Sequence, residues 1–354
     1  IDWRRVERWI QSCGETHKTC IEDARRAPLN PLPGGFRVVD VLHRCIVRPP
    51  DLHFQYVALS YTWGRAPNLA RHILTTSSMP HYMEHGSLHP LQMPATIEDA
   101  MQMCLNLGKR YLWVDRLCIM QDNIEDRESQ IKGMATIFSR AAFTIVAAYG
   151  NGMDTSLPGV QARAFSTDCD DLGDLHIRTC LPTFDDTVRE SVWATRGWTY
   201  QEALLSPKKL YISSAQAFWV CQSGMIPEDL IPDDSIERIT CNELIAHKPY
   251  TEVLKIDSWN SDPFTPYTYH SRKYNQRVLT NASDIYDAFG GIMSALYPPV
   301  DPLDQTSTSL YNLPLHDFDA ALLWSTGIDT QGARASDENT YIPSWSWSSV
   351  VGDF

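Results

Sequence analysis

Apolar residues near the start of the chain recur at close to helical spacing. Trp9, Cys13, Thr16/His17 and Cys20 share one face, which predicts a helix over residues 2–25. The breaker cluster Asn30-Pro31-Leu32-Pro33-Gly34-Gly35 follows it. Residues 36–47 alternate loosely and are β-rich. Residues 56–60 form a short apolar run that ends in Tyr61-Thr62-Trp63-Gly64, the pattern of a buried strand feeding polar and aromatic groups into a loop. Residues 64–93 are irregular. Thr96 and Asp99 then outline a capping box, and Ile97, Ala100, Met101, Cys104 and Leu105 continue at helical spacing to Gly108. Residues 111–115 read as a strand. Ile131, Met134, Ala135 and Phe138 make the next helix, with Glu125, Asp126 and Glu128 suited to the positive end of its dipole. Residues 143–148 are another strand, 149–186 a polar loop, Gly197–Leu205 a short helix, and 210–212 and 217–220 two strands.

This alternation predicts an α/β fold with a mainly parallel central sheet covered by helices on both faces. Ligands of such sheets bind beyond the carboxyl ends of the strands. Those exits hold residues 60–64, 115–121 and 149–151. Beyond 222 prolines and acids dominate to about 266. Helical patterns return at 282–297 and 314–324, and 341–348 alternates like a strand. The expected division is a helix and β lead-in (1–50), an α/β domain (51–222) and a mostly helical extension packed on it (223–354).

Composition narrows the function. The 354 residues carry a net charge of -13, which disfavours nucleic acid and anionic membrane as partners. No apolar run approaches the roughly 20 residues that span a bilayer, and the charged opening IDWRRVERWI is unlike a signal peptide. Nine cysteines, an odd number with no CxxC, fit a reducing, cytoplasmic setting. The common nucleotide, zinc-protease and serine-hydrolase signatures are absent. Cys13, His17 and Cys20 offer soft ligands at i, i+4 and i+7 of one helix, for which zinc would need a fourth, such as Cys45. The preferred reading is a buried helix face, so no metal is expected. His81, His85 and His89 are interrupted by Gly86 and Pro90 and read as loop histidines. On the 197–205 helix, Trp198 and Glu202 lie at i and i+4. The Trp can desolvate the carboxylate, Arg196 or Arg116 can hold it charged, and the plainer reading is a core Trp beside a salt-bridged Glu.

Five blocks in order resemble the fungal heterokaryon-incompatibility (HET) domain: YVALSYTWG (56–64), MPATIEDAM (93–101), LGKRYLWVDRLCIMQDN (107–123), MATIFSRAAFTIVAA (134–148) and RGWTYQEALLSPKKLYIS (196–213). The flanking WxxxCxxxHxxC start, RVLTNASDIYDAFGGI (277–292) and PSWSWSS (343–349) resemble the wider pattern of such proteins. Arg116 and Met120 depart from it, where the family often has a small residue and an Ile. The resemblance implies a protein of non-self recognition whose activation triggers regulated cell death. The HET domain is in turn distantly similar to TIR domains, some of which hydrolyse NAD. Ala58-Leu59-Ser60-Tyr61 resembles the first TIR strand and its loop, and Trp198 with Glu202 resembles the TIR helix bearing the catalytic glutamate.

Three readings follow. In the first, the chain hydrolyses the N-glycosidic bond of NAD, a substrate rather than a cofactor. Glu202 stabilises the oxocarbenium-like sugar with Asp115 as second carboxylate, and Ser60, Tyr61, Trp63, Gln121, Arg196 and Trp198 bind substrate. In the second, it is a non-catalytic signalling module that self-associates and answers to an upstream sensor protein. In the third, it is a small-molecule enzyme of secondary metabolism with Asp115 and Glu202 as acid and base.

Overall fold

The computed structural model describes residues 1–18, 20–21, 31–49, 54–64, 72–90, 93–160, 169–172, 175–178, 181–229, 262–298, 308–334 and 341–354. The chain divides into two compact units, Ile1–Ala194 with Ser206–Pro249, and Thr195–Leu205 with Tyr250–Phe354.

The first unit is built on an eight-stranded sheet. In chain order its longer elements are helix α1 (Trp3–Thr16), strands β1 (Val38–Asp40), β2 (Cys45–Val47) and β3 (Val57–Ser60), helix α2 (Ala95–Asn106), strand β4 (Tyr111–Trp113), helices α3 (Ile124–Lys132) and α4 (Met134–Arg140) and strand β5 (Thr144–Ala147). A separate two-stranded pair, β6 (Cys169–Leu172) with β7 (Leu175–Arg178), follows. Strands β8 (Lys208–Ile212), β9 (Ala217–Cys221) and β10 (Gly224–Pro227) complete the large sheet, whose order is β10-β9-β8-β5-β3-β4-β1-β2. Its centre is parallel: β3 pairs with β4 and β5, and β5 with β8. These strands are almost wholly buried, as expected where both faces are covered.

The sheet is thus mixed, with a parallel centre, rather than mainly parallel. Most of the antiparallel pairing comes from connections too short for a crossover, and β1 also runs antiparallel to β4. Four residues join β1 to β2, and β8, β9 and β10 are consecutive hairpins. Other expectations are also corrected. The first helix ends at Thr16, and His17 is extended (φ −83°, ψ 103°). The helix expected around 125–138 is two, α3 and α4, broken at Gly133, where a Cβ would meet the Pro33 ring at 2.8 Å. The polar stretch 149–186 contains the β6–β7 pair. Thr96 and Asp99 do not cap their helix, which starts earlier, at Ala95. Thr96 Oγ1 donates to the Thr155 carbonyl (2.7 Å), and Asp99 accepts from the Leu157 N–H (2.6 Å), so both pin the chain that leaves β5.

Asp40 closes the antiparallel edge. It is 2% exposed and accepts from the backbone N–H groups of Leu42 and His43 (3.1 Å each), from His43 Nδ1 (2.9 Å), and from Arg110 Nε and Nη2 (3.0 and 2.8 Å). Burial opposes its charge, but Arg110 and His43 outweigh it and hold the carboxyl below its ordinary value. A depressed carboxylate contributes stability above its unfolded pKa, about 3.9, and loses it as pH falls through the folded value. Asp40→Ala is expected to cost about 2–3 kcal/mol at pH 7. In urea titrations that deficit should shrink below about pH 4; a deficit unchanged by acid would contradict the assignment.

The second unit carries helices α5 (Gly197–Leu205), α6 (Phe264–Asn275) and α7 (Ile285–Leu296). α5 and α7 pack together: Tyr200 and Leu204 join a core with Tyr267, Tyr274, Phe289, Ile292, Met293 and Trp347. The region expected as a helix at 314–324 has one turn, Phe318–Ala321, preceded by a strand pair of Ser309–Leu310 with Leu313–Pro314. The expected terminal strand at 341–348 is instead a turn and a 3-10 helix, Trp347–Ser349. Ser346 Oγ caps it by accepting from the Ser348 N–H, and Val350–Gly352 then pairs with Thr330–Ala333. The Pro- and acid-rich stretch at 230–261 lies outside the described residues.

Candidate functional site

The parallel strands stand in the order β4-β3-β5-β8. The chain leaves β3 for the neighbour on one side, β4, and then crosses to β5 on the other. The crevice of such a sheet therefore lies beyond the carboxyl ends of β3 and β5. Its walls are residues 60–64 and the segment after Ala147.

Asp115 follows β4 and opens a single helical turn, Asp115–Cys118. The strand expected to run to Asp115 ends at Trp113, so Asp115 lies two residues beyond it. Trp63 Nε1 donates to its Oδ2 (2.7 Å), and the Arg116 backbone N–H donates to its Oδ1 (2.6 Å). The Arg116 guanidinium, wholly buried, sits 4.8 Å from the centre of the Trp63 ring. Desolvation pushes the Asp115 carboxyl above its ordinary value, against the pull of Trp63, the Arg116 N–H, the Tyr61 hydroxyl and the Arg116 charge. Gln121 closes the segment: its Nε2 donates to the Ile119 carbonyl (3.1 Å) and its N–H to Leu74 O (2.9 Å). Tyr61, Trp63, Asp115 and Gln121 therefore belong to one neighbourhood.

Ser60 lies beneath it, fully buried, and its Oγ accepts from Trp193 Nε1 (2.8 Å). The crevice itself is narrowed by backbone. Gly64 has φ +87°, and a Cβ there would stand 3.0 Å from the Gly152 Cα, so only glycine permits this approach.

Arg196, Trp198 and Glu202 belong to the second unit. Trp198 Nε1 donates to Asp284 Oδ2 (3.0 Å), and Arg196 Nη2 donates to Thr280 Oγ1 (2.8 Å). Glu202 is 7% exposed on α5. Around it, Gln201 Oε1 accepts from the Gly291 N–H (2.8 Å), the Tyr200 hydroxyl meets His270 Nδ1 (2.8 Å), and the Arg277 guanidinium stacks 4.4 Å over the Tyr200 ring. The histidines of the 81–89 stretch are apart in role: His81 pairs with Glu84 (3.4 Å), and His85 stacks on His43 at 4.5 Å.

The family profile described as Heterokaryon incompatibility protein (HET) matches residues 56–202, from the strand β3 approach to Glu202. The chain carries a HET domain. A curated relative, "Heterokaryon incompatibility protein 6, OR allele" of Neurospora crassa, is 28% identical over 127 residues, covering 33% of this chain and 18% of that protein. This chain thus matches less than a fifth of the length of that relative. No solved structure matches it.

Within each unit, partners of the candidate residues carry no mark in the sequence. Trp193 lies 133 positions from the Ser60 it binds, and Asp284 lies 86 positions from Trp198. Only the fold brings such pairs together. Arg116 is the cation over Trp63.

Proposed function

We propose that this chain acts in fungal non-self recognition, as the part that triggers regulated cell death, and that it does so as a signalling module working through a second copy or an upstream sensor protein. One observation carries this reading: four polar side chains within the HET match are engaged by other side chains of the same chain. Trp63 is engaged by Asp115, Ser60 by Trp193, Trp198 by Asp284 and Arg196 by Thr280. Residues committed in this way hold the fold, and breaking them to seat a substrate would cost about 1–3 kcal/mol for each buried group left unmatched.

A second reading, TIR-like hydrolysis of NAD, has one observation in its favour. Asp115 is a carboxyl held towards its protonated form beyond the end of a parallel strand, where such sheets place ligands. The four central strands, numbered in chain order, also run 2-1-3-4, the start of a flavodoxin-like order. In this reading a carboxylate such as Glu202 stabilises positive charge on the ribose as nicotinamide leaves.

Incubation of purified chain with NAD at high protein concentration separates the two. The signalling reading expects no nicotinamide above the buffer control, for the wild type, Asp115→Asn and Glu202→Gln alike. Release by the wild type that falls roughly a hundredfold in Glu202→Gln, on the order of 3 kcal/mol of lost transition-state stabilisation, would replace it with the enzymatic one.

A further inference from the structure

The N-terminal helix and the last hairpin of the large sheet meet at a cluster of four soft ligands that the HET domain site does not use. Helix α1 is capped by Asp2, which accepts from the N–H groups of Arg4 and Arg5, and it buries Val6, Trp9 and Cys13 along one stripe. The helix breaks at His17, and residues 18, 20 and 21 are helical again. That break carries His17 and Cys20 round towards Cys13. Cys221 reaches the same point as the last residue of β9, just before the turn into β10. One ligand atom of each of Cys13, His17, Cys20 and Cys221 lies within 4.8 Å of all the others. The three cysteines are buried and His17 is half-buried. Cys221 Sγ stands 3.3 Å from His17 Nδ1, although 204 positions separate them, and Cys20 Sγ stands 3.9 Å from Ser223 Oγ.

We propose that Cys13, His17, Cys20 and Cys221 bind a structural zinc ion that fastens α1 to the β9–β10 hairpin. Zinc–sulfur bonds of about 2.3 Å and zinc–nitrogen bonds of about 2.0–2.1 Å, at tetrahedral angles, put the ligand atoms about 3.6–3.8 Å apart. The observed cluster is within a small side-chain adjustment of that figure. Three thiolates and an imidazole form a soft set that favours zinc over magnesium or calcium. Four protein ligands leave no open position, so the site is structural rather than catalytic. Three thiolates and a neutral imidazole around a dication leave a site of net charge −1, so the ion offsets most of the charge that three crowded sulfurs would carry. All three thiols are free, whereas a disulfide would need sulfurs about 2.05 Å apart. Cys45, the fourth ligand that spacing suggested, is excluded: it lies on β2, at the opposite edge of the sheet from β10.

The test uses the full chain, purified without a metal-binding tag under reducing conditions. Elemental analysis should find about one zinc per chain, as expected for a closed four-ligand site. Cobalt(II) added to the demetallated protein should give thiolate charge-transfer bands and tetrahedral d–d bands. Cys221→Ser should retain zinc at least tenfold more weakly, and Cys45→Ser should retain it as the wild type does. A chelator should lower the Tm of the wild type and of Cys45→Ser but leave Cys221→Ser unmoved. Should Cys221→Ser fail to fold, the wild-type zinc content and cobalt spectrum decide alone. A reduced wild type with neither zinc nor a tetrahedral cobalt spectrum would overturn the proposal. So would a mass spectrum of the native protein showing a disulfide among Cys13, Cys20 and Cys221.

Discussion

Asp126→Ala is expected to lower the unfolding free energy by about 3–5 kcal/mol, because it strands a buried guanidinium. Arg37 is 2% exposed, and its Nη2 meets Asp126 Oδ2 at 2.5 Å while its Nη1 donates to the Gly35 carbonyl. Removing only the acid leaves that charge out of water with no counterion. The same Asp126 oxygen accepts from the Met120 N–H (2.9 Å), so the substitution also frees the segment that carries Asp115 and Gln121. The Asn123 side chain, which caps α3 by accepting from the Asp126 N–H, is left in place. Urea unfolding measures the loss, and amide exchange should quicken across 115–121. The double variant Arg37→Met, Asp126→Leu removes both charges and should recover most of the deficit, leaving about 1 kcal/mol for the Met120 N–H. A double variant as unstable as the single one would show that packing, and not the stranded charge, sets the cost.

Trp193→Ala should cost a similar amount, about 3–5 kcal/mol, through lost packing and an unfilled cavity. Trp193 is buried and meets the Tyr211 ring edge-on at 5.7 Å. The informative variant is Trp193→Phe. It keeps most of the ring volume and removes the donor that satisfies Ser60 Oγ, for a loss of about 1–3 kcal/mol. Adding Ser60→Ala in that background should recover part of the loss, since no buried hydroxyl then waits for its partner. The four-protein double-mutant cycle measures the coupling. Additive losses would mean that Ser60 is not held by Trp193, which would weaken the case that it serves the fold.

The central strands were legible because their composition leaves little choice. Val57-Ala58-Leu59 and Ile145-Val146-Ala147 are apolar on both faces, as a doubly covered parallel strand must be. The short helix at 197–205 was legible as an element, but the unit to which it belongs was not. That is settled by the match of Tyr200 and Leu204 to α7, about ninety residues further on. Turn-dominated stretches misled the period-2 test. Residues 344–348 alternate Ser and Trp, yet the Ser346 hydroxyl serves a cap and the Tyr311 carbonyl, and the chain turns there instead of extending. The Cys13, His17 and Cys20 spacing marked three members of the cluster, and Cys45 is not the fourth. Cys221 ends an apolar strand with no ligand-like spacing around it, and only the sheet order brings it beside α1. Of the candidate site, Trp63 and Asp115 are joined by a direct hydrogen bond that the sequence could place only at two neighbouring strand exits.

The central proposal is that the polar residues of the HET domain hold a signalling fold and perform no chemistry. Its most direct test is the viability of fungal cells after induced expression of this chain, wild type beside Glu202→Gln at matched protein levels. The prediction is equal loss of viability with both. Survival of cells carrying Glu202→Gln while the wild type kills would contradict it and make the carboxylate catalytic.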